Sequence, residues 1–282
     1  MLTNPKAQQR IGDILVTILL SLGAVTMLFP FAWMISTSLK EQRYIFTLPP
    51  QWIPDPILWH KYIEVWEKVP LLYGFMNSTI VALSVIIVGT FTSSLAAFAF
   101  SKMRFPHKEK LFMFLLGTMM IPYAAVMIPQ FVMFSNIGWV DTLWPLILPG
   151  LFGNVAMIFF LRQYLTGVPT AIIDAAKIDG CSFFGIYWRI VLPSIKPAIA
   201  AHVVMWFMGI WNDYLGPVIY LTSPRKMTIQ PVIALFNSYY ASQNDYALIM
   251  AASVISMMPV IFIFVFFQRY FIESLVISGM KE

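Results

Sequence analysis

Charge is what this chain most lacks. Lys, Arg, Asp and Glu together supply 11% of its 282 residues, against 59% hydrophobic ones. A soluble domain carries about 25% charged residues to cover its surface. Cysteine is nearly absent: Cys181 stands alone, which excludes an internal disulfide framework. No Cys-x-x-Cys pair or His-Glu-x-x-His run occurs, and His60, His107 and His202 lie far apart, so no metal site is marked. The three histidines read as surface or interfacial residues. The Gly-x-x-x-x-Gly-Lys-Ser/Thr phosphate loop is missing, so the chain offers no cradle for ATP of its own and binds no cofactor. The short segments of alternating polarity that build a β-barrel are missing as well.

What the chain has is apolar length. Six runs approach the ~20 residues needed to cross a hydrocarbon core, at about 11–39, 75–100, 111–134, 144–164, 198–220 and 246–270. The expected fold is an all-α polytopic membrane protein of six transmembrane helices forming one domain over 1–282, with its six-span core at 11–270. The first run is too long for a cleaved signal and stays as a span. The net charge of +5 reflects basic loops facing the cytoplasm rather than a nucleic-acid surface. Lys6 and Arg10 precede the first span. Lys102, Arg104, Lys108 and Lys110 join the second to the third, and Arg162, Lys177, Arg189 and Lys196 join the fourth to the fifth. The connection 135–143 has neither Lys nor Arg. Both termini, including a tail at 271–282, are therefore expected in the cytoplasm. Arg225 and Lys226, in the fifth-to-sixth loop, fit this pattern less well.

The outer segment 40–74 holds Leu58, Tyr62, Val65, Trp66 and Val69 at helical spacing, with His60, Lys61, Glu64 and Lys68 mostly on another face. It reads as a short helix on the membrane surface or as a contact for a partner protein. Asn77-Ser78-Thr79 is a formal glycosylation sequon, taken as coincidental at a helix start.

The connection 169–193 is the most informative stretch. Pro169 can open a short helix over Thr170–Ile178, and Gly180 can end it in the left-handed conformation. Ser182 can then cap a second helix, before Pro193 and Pro197 break the pattern. Phe183, Phe184, Tyr187 and Trp188 give this pair an aromatic face that needs cover. Three covers are open on physical grounds: the membrane domain, the headgroup layer, or a cleft in a partner.

Asp174-Ala175-Ala176, Gly180 and the run Ile190-Val191-Leu192-Pro193 resemble the EAA loop of bacterial ABC importer permeases: Glu-Ala-Ala, three residues, Gly, nine residues, Ile-x-Leu-Pro. Asp174 replaces the usual Glu. Further stretches resemble the sugar-importer branch: Asn77–Ala82 with Ala96–Phe100, Met127–Gln130 with Asn136–Gly138, and Trp211–Tyr214 with Pro217. The ending Ser278–Lys281 is similar to that of the MalG-type subunit of maltose importers.

The resemblance implies a permease subunit paired with a second permease, driven by a dimeric ATPase that holds ATP and Mg. An extracytoplasmic binding protein would deliver the sugar. It also implies that Asp174, Ala175, Ala176, Asp179, Gly180, Ile190, Leu192 and Pro193 form the contact with the ATPase. Asp174 would serve as a charge contact, Gly180 as the turn, and the alanines as small residues allowing close approach. In the maltose-type arrangement the companion permease makes much of the sugar contact.

Within the spans Asp213 is the clearest ionisable residue, next to Asn212, and Gly209, Gly216 and Pro217 weaken the helix around it. Trp206, Trp211, Tyr214 and Tyr220 flank the site. The run Trp211–Tyr214 either lines the substrate path or a gate, or its aromatics belong to the interfacial belt. The scarcity of buried Arg and Lys argues against a phosphorylated solute such as glycerol phosphate. An ion-coupled secondary carrier would need more intramembrane carboxylates than Asp213. An intramembrane enzyme would need a nucleophile or metal set that the spans do not contain. Asn237, Tyr239 and Tyr240, in the loop 221–245, either meet the binding protein or belong to a plain solvated loop.

Overall fold

The computed structural model describes residues 5–239 and 245–279, and the regular structure among them is helical, with no strand. In chain order the elements are α1 (Pro5–Ser38), α2 (Lys61–Lys68), α3 (Leu71–Lys102), α4 (Lys108–Thr118) and α5 (Tyr123–Asn136). They continue with α6 (Trp144–Leu151), α7 (Val155–Thr166), α8 (Thr170–Ile178) and α9 (Phe183–Ile186). A π-turn over Tyr187–Val191 and a single turn, α10 (Leu192–Ser194), lead into α11 (Lys196–Trp211) and α12 (Leu215–Tyr220). Last come α13 (Ile229–Tyr239) and α14 (Tyr246–Gly279).

Four stretches are long and apolar enough to cross a membrane: Gly12–Ser38, Leu71–Lys102, Trp144–Thr166 and Tyr246–Arg269. Two helix pairs bent by 90° and 74° bring the number to as many as six.

Proline decides where the expected spans break. The third was expected to run unbroken, but it breaks between α4 and α5, where Pro122 is extended and brings no N–H with which to continue α4. The fifth, expected over 198–220, is interrupted at residues 212–214, just before Gly216 and Pro217. The fourth carries a shorter break at Phe152–Asn154. There Gly153 takes φ +105° and the Asn154 side chain caps α7 by accepting from Met157 N at 2.9 Å. Neighbouring α3 satisfies the exposed backbone, since Thr92 donates to Leu151 O at 2.9 Å and Ser93 Oγ accepts from Asn154 N at 2.8 Å. Broken helices persist at membrane depth when a neighbour meets their free groups in this way.

The chain divides into two compact units. In the first, Met1–Val69 with Leu235–Ser256, the end of α1 is tied down locally. Ser38 pairs with the Tyr62 hydroxyl at 2.7 Å, and Trp52 packs edge-on against Phe29 and Trp33. Val65 and Val69 are buried while Trp66 stays exposed, so the apolar spacing read in α2 is only half covered. Lys61 bridges Asp245 at 2.6 Å and Glu64 at 3.3 Å.

The second unit, Pro70–Ala234 with Met257–Glu282, is organised on α3, which packs against α6, α7 and α11. Its buried cluster includes Ala97, Phe98, Met157, Leu161, Leu165, Ile173, Ile186, Tyr187 and Val191. His202, expected at a surface, is buried in α11 against Phe160 and Trp206. Its apolar neighbours on that helix were the missed signal. The loop 221–245 is not loop throughout: α13 begins at Ile229 and buries Ile229, Val232 and Phe236.

Candidate functional site

Two features of the second unit stand at opposite ends of α3. Near Lys102 lies the helix pair α8–α9. Thr170–Ile178 is helical, as the spacing predicted. Gly180 takes φ +78° and ends it, with Gly180 N donating to Lys177 O at 3.0 Å and Cys181 N to Ala176 O at 2.9 Å. That wrapped pair of bonds is a left-handed helix stop. Ser182 caps α9 by accepting from Gly185 N at 3.1 Å.

The pair is riveted to α3. Lys102 Nζ donates to Val168 O at 2.6 Å, just ahead of α8. The Tyr187 hydroxyl pairs with Ser94 Oγ at 2.8 Å, and its ring packs near Phe98 and Phe91. Tyr187 is 1% exposed, which removes it from the aromatic face predicted for it. The π-turn beginning there widens the helix by one residue per turn, a distortion that recurs at functional sites.

What remains outward is Ile172, Ile178, Phe183, Phe184 and Trp188, with Ile178 87% exposed. Asp174 is exposed beside them and pairs with Lys177 at 3.0 Å. The two alanines part company. Ala175 is exposed, whereas Ala176 is buried in the α3–α7 cluster, so only Ala175 can offer close approach to a partner. Asp179, Gly180 and Pro193 are exposed, while Ile190 and Leu192 are half-buried and pack on the cluster.

At the other end of α3 the packing opens. A cavity of about 320 Å³ lies among α3, α5, α6, α11 and α12, with Thr228 on its wall. Asp213 lines it, and Asp213 Oδ1 accepts from Gly216 N at 3.2 Å. A side chain at position 216 would crowd that carboxylate, because an added Cβ would sit 2.7 Å from Asp213 Oδ2. Of its three predicted companions, Trp211 is buried against Phe207 and Phe75, Asn212 accepts from Gln230 at 3.3 Å, and Tyr214 is exposed. None of these three lines the cavity. Tyr123, Gln130, Trp206, Tyr220 and Thr228 do; Trp206 and Tyr220 were expected to flank Asp213, whereas roles for Tyr123, Gln130 and Thr228 were not read from the sequence. The Gln130 polar group inside an apolar run was the available signal.

The rim at this end is tied by hydrogen bonds. Asn77 donates to Arg225 O and Met227 O at 3.0 and 2.9 Å, and Ser78 Oγ accepts from Ile229 N at 2.8 Å. Asp141, at φ +60°, accepts from Thr222 N, Ser223 N, Ser223 Oγ and Lys226 Nζ. Burial alone would raise its carboxyl; the donors of Ser223, Lys226 and Thr222 outweigh burial and hold it well below the usual carboxylate range. Arg225 lies over the Tyr73 ring at 5.7 Å, so both basic residues that fitted the loop pattern poorly have local partners. Asn237 and Tyr239 belong to the last turns of α13, but their side chains, and Tyr240 altogether, lie outside the described residues.

Residues 89–276 match the family model described as "Binding-protein-dependent transport system inner membrane component". The arabinooligosaccharides transport system permease protein AraQ of Halalkalibacterium halodurans is 31% identical over 229 residues, 81% of each chain. The sn-glycerol-3-phosphate transport system permease protein UgpE of Yersinia pestis is 28% identical over 94% of this chain and 96% of its own. Among solved structures, a bacterial ABC transporter involved in the import of alginate has a chain with TM-score 0.79 at 22% identity, covering 94% of this chain and 98% of its own. That likeness is one of fold.

Proposed function

The chain belongs to the family of binding-protein-dependent transport system inner membrane components, and on that premise we propose that it is the permease subunit of an ATP-driven importer for a neutral oligosaccharide. The observation that carries this reading is the helix pair α8–α9. Its turn is fixed by Gly180, its inner face is bonded to α3 through Tyr187 and Lys102, and its outer face presents Ile178, Phe183, Phe184 and Trp188. An apolar face on a hairpin so firmly held suits a cleft in a separate ATPase dimer that carries the ATP and Mg. Closure of that dimer would move α3 and its neighbours as a rigid body. Asp174, Ala175, Asp179, Gly180 and Pro193 lie on the exposed side of the hairpin. Ala176, Ile190 and Leu192 brace it from behind.

In this reading the hairpin, both termini and the tail 271–282 face the cytoplasm, and the cavity end faces the binding protein. The core 11–270 is one permease domain that pairs with a second, different permease. Asn237, Tyr239 and Tyr240 are assigned to the contact with the binding protein. Trp211, Asn212 and Tyr214 support the Asp213 turn from the side, and Asp213 itself reaches the path.

Two relatives differ in solute, one named for arabino-oligosaccharides and one for glycerol phosphate. The cavity favours the first. Its wall carries the Asp213 carboxylate and neither Lys nor Arg among the described residues, whereas a phosphate wants cationic donors. The test is uptake into liposomes holding this chain, its partner permease, the ATPase and the binding protein. ATP-dependent entry of a radiolabelled arabino-oligosaccharide is expected, and glycerol 3-phosphate should not enter. Uptake driven by a Na⁺ or H⁺ gradient without ATP, or uptake of glycerol 3-phosphate alone, would overturn the reading.

A further inference from the structure

The cavity beside Asp213 has a wall chemistry that its structural role does not require. Thr228 is 5% exposed, it lines the cavity, and its hydroxyl has no hydrogen-bond partner within the protein. Buried hydroxyls are nearly always paired. Here the neighbours pair with one another and pass it by: Tyr220 donates to Gln130 Oε1 at 3.2 Å, and Ser78 Oγ accepts from Ile229 N at 2.8 Å. The Asp213 carboxylate, held by Gly216 N, can only accept. The Gln130 amide adds an NH₂ donor. Around these groups stand the Trp206 ring and the apolar edges of Pro145, Leu146, Pro149 and Pro217.

We propose that this cavity is a saccharide subsite carried by this chain itself, holding one end of the transported oligosaccharide. The inference rests on the importer reading above and adds to it: the expected arrangement leaves sugar contact largely to the companion permease, whereas this wall is equipped for it. A sugar ring offers hydroxyls that donate as well as accept, together with an apolar C–H face. The carboxylate of Asp213 takes the donors, Thr228 both gives and takes, Gln130 gives, and Trp206 covers the C–H face. The volume, about 320 Å³, is near the lower limit of ~300–1,000 Å³ for small-molecule sites, so it admits an end of the chain rather than its length. The absence of Lys and Arg from the described wall, with a carboxylate present, turns away an anionic ring.

The same reconstituted complex tests it. Thr228→Val and Gln130→Leu keep size while removing the polar partner. Each is expected to lower kcat/KM for ATP-driven uptake of the arabino-oligosaccharide about ten-fold, the scale of one lost hydrogen-bond partner. Hydrolysis stimulated by the binding protein should stay near wild type, because α8–α9 is untouched. Thr228→Ser, which restores the hydroxyl, should return uptake to within about two-fold of wild type, which distinguishes recognition from folding. Wild-type uptake in both Thr228→Val and Gln130→Leu, or loss in Thr228→Ser equal to that in Thr228→Val, would overturn the subsite while leaving the importer reading intact. Failure of the wild-type complex to import any sugar would instead overturn that reading, and the subsite with it.

Discussion

The two ends of α3 are built on opposite principles. At the Lys102 end Ser94 and Lys102 leave the helix for firm partners in Tyr187 and Val168, and Leu161, Leu165, Ile186 and Val191 are fully buried around it. At the Ser78 end the same helix borders a hollow, with an unpaired hydroxyl at Thr228 and a carboxylate at Asp213. The difference teaches where rigidity is wanted. If the hairpin docks on the ATPase as proposed, it must transmit force without deforming. If the hollow meets a passing solute, it must keep polar groups uncommitted, at a cost of about 1–3 kcal/mol for each one left buried and unpaired.

The comparison can be broken from its rigid end first. Gly180→Val forces a β-branched residue to φ +78°, which L-residues with branched side chains rarely adopt. Uptake should fall more than ten-fold and the ATPase should fail to co-purify, while the protein still inserts. Normal values for both would remove the hairpin from its assigned role. Leu161→Ala opens a cavity in the buried cluster and should cost ~2–5 kcal/mol, read as a fall in thermal melting of the purified complex. Tyr187→Phe removes only the hydroxyl bonded to Ser94. It should lower uptake several-fold with the ATPase still bound and still hydrolysing, a loosening of transmission rather than of docking. An unchanged ratio of solute moved to ATP spent would show that the Ser94 bond carries no movement. The smallest effect is at the hollow end and has the opposite sign. Thr228→Val removes an unpaired hydroxyl and should leave melting unchanged or raise it by a degree or two, although it impairs uptake. A drop as large as that of Leu161→Ala would make Thr228 a packing residue and erase the contrast.

Much of the rigid end was legible in the residues. Pro169, Gly180 and Ser182 specify a start, a stop and a cap by local chemistry alone, and each acts where expected. Which face of the hairpin would be covered was not legible. Tyr187 turns inward because it meets Phe98 and Ser94, residues some 90 positions earlier, and Ala176 joins the same buried cluster. The apolar spans were visible as runs, and Gly209, Gly216 and Pro217 marked the fifth as weak around Asp213, yet the break at Pro122 was smoothed over, since hydropathy measures composition and is blind to a missing N–H. Asp213 stood out as a charge among apolar residues. Gln130 and Thr228 did not, because a neutral polar residue gains meaning only from what surrounds it.

One feature of α3 constrains the motion it can make. Its bonds leave in several directions: Asn77 to the backbone at 225 and 227, Thr92 and Ser93 to the α6–α7 break, Ser94 to Tyr187, and Lys102 to Val168. Successive residues on a helix point about 100° apart, so Thr92, Ser93 and Ser94 alone engage a wide arc of the circumference. The helix is splined like a shaft. It can tilt or slide together with α6, α7 and the hairpin, but rotation about its own axis would strip all of these bonds together. A transport cycle built on this chain is therefore one of rocking, not of screwing.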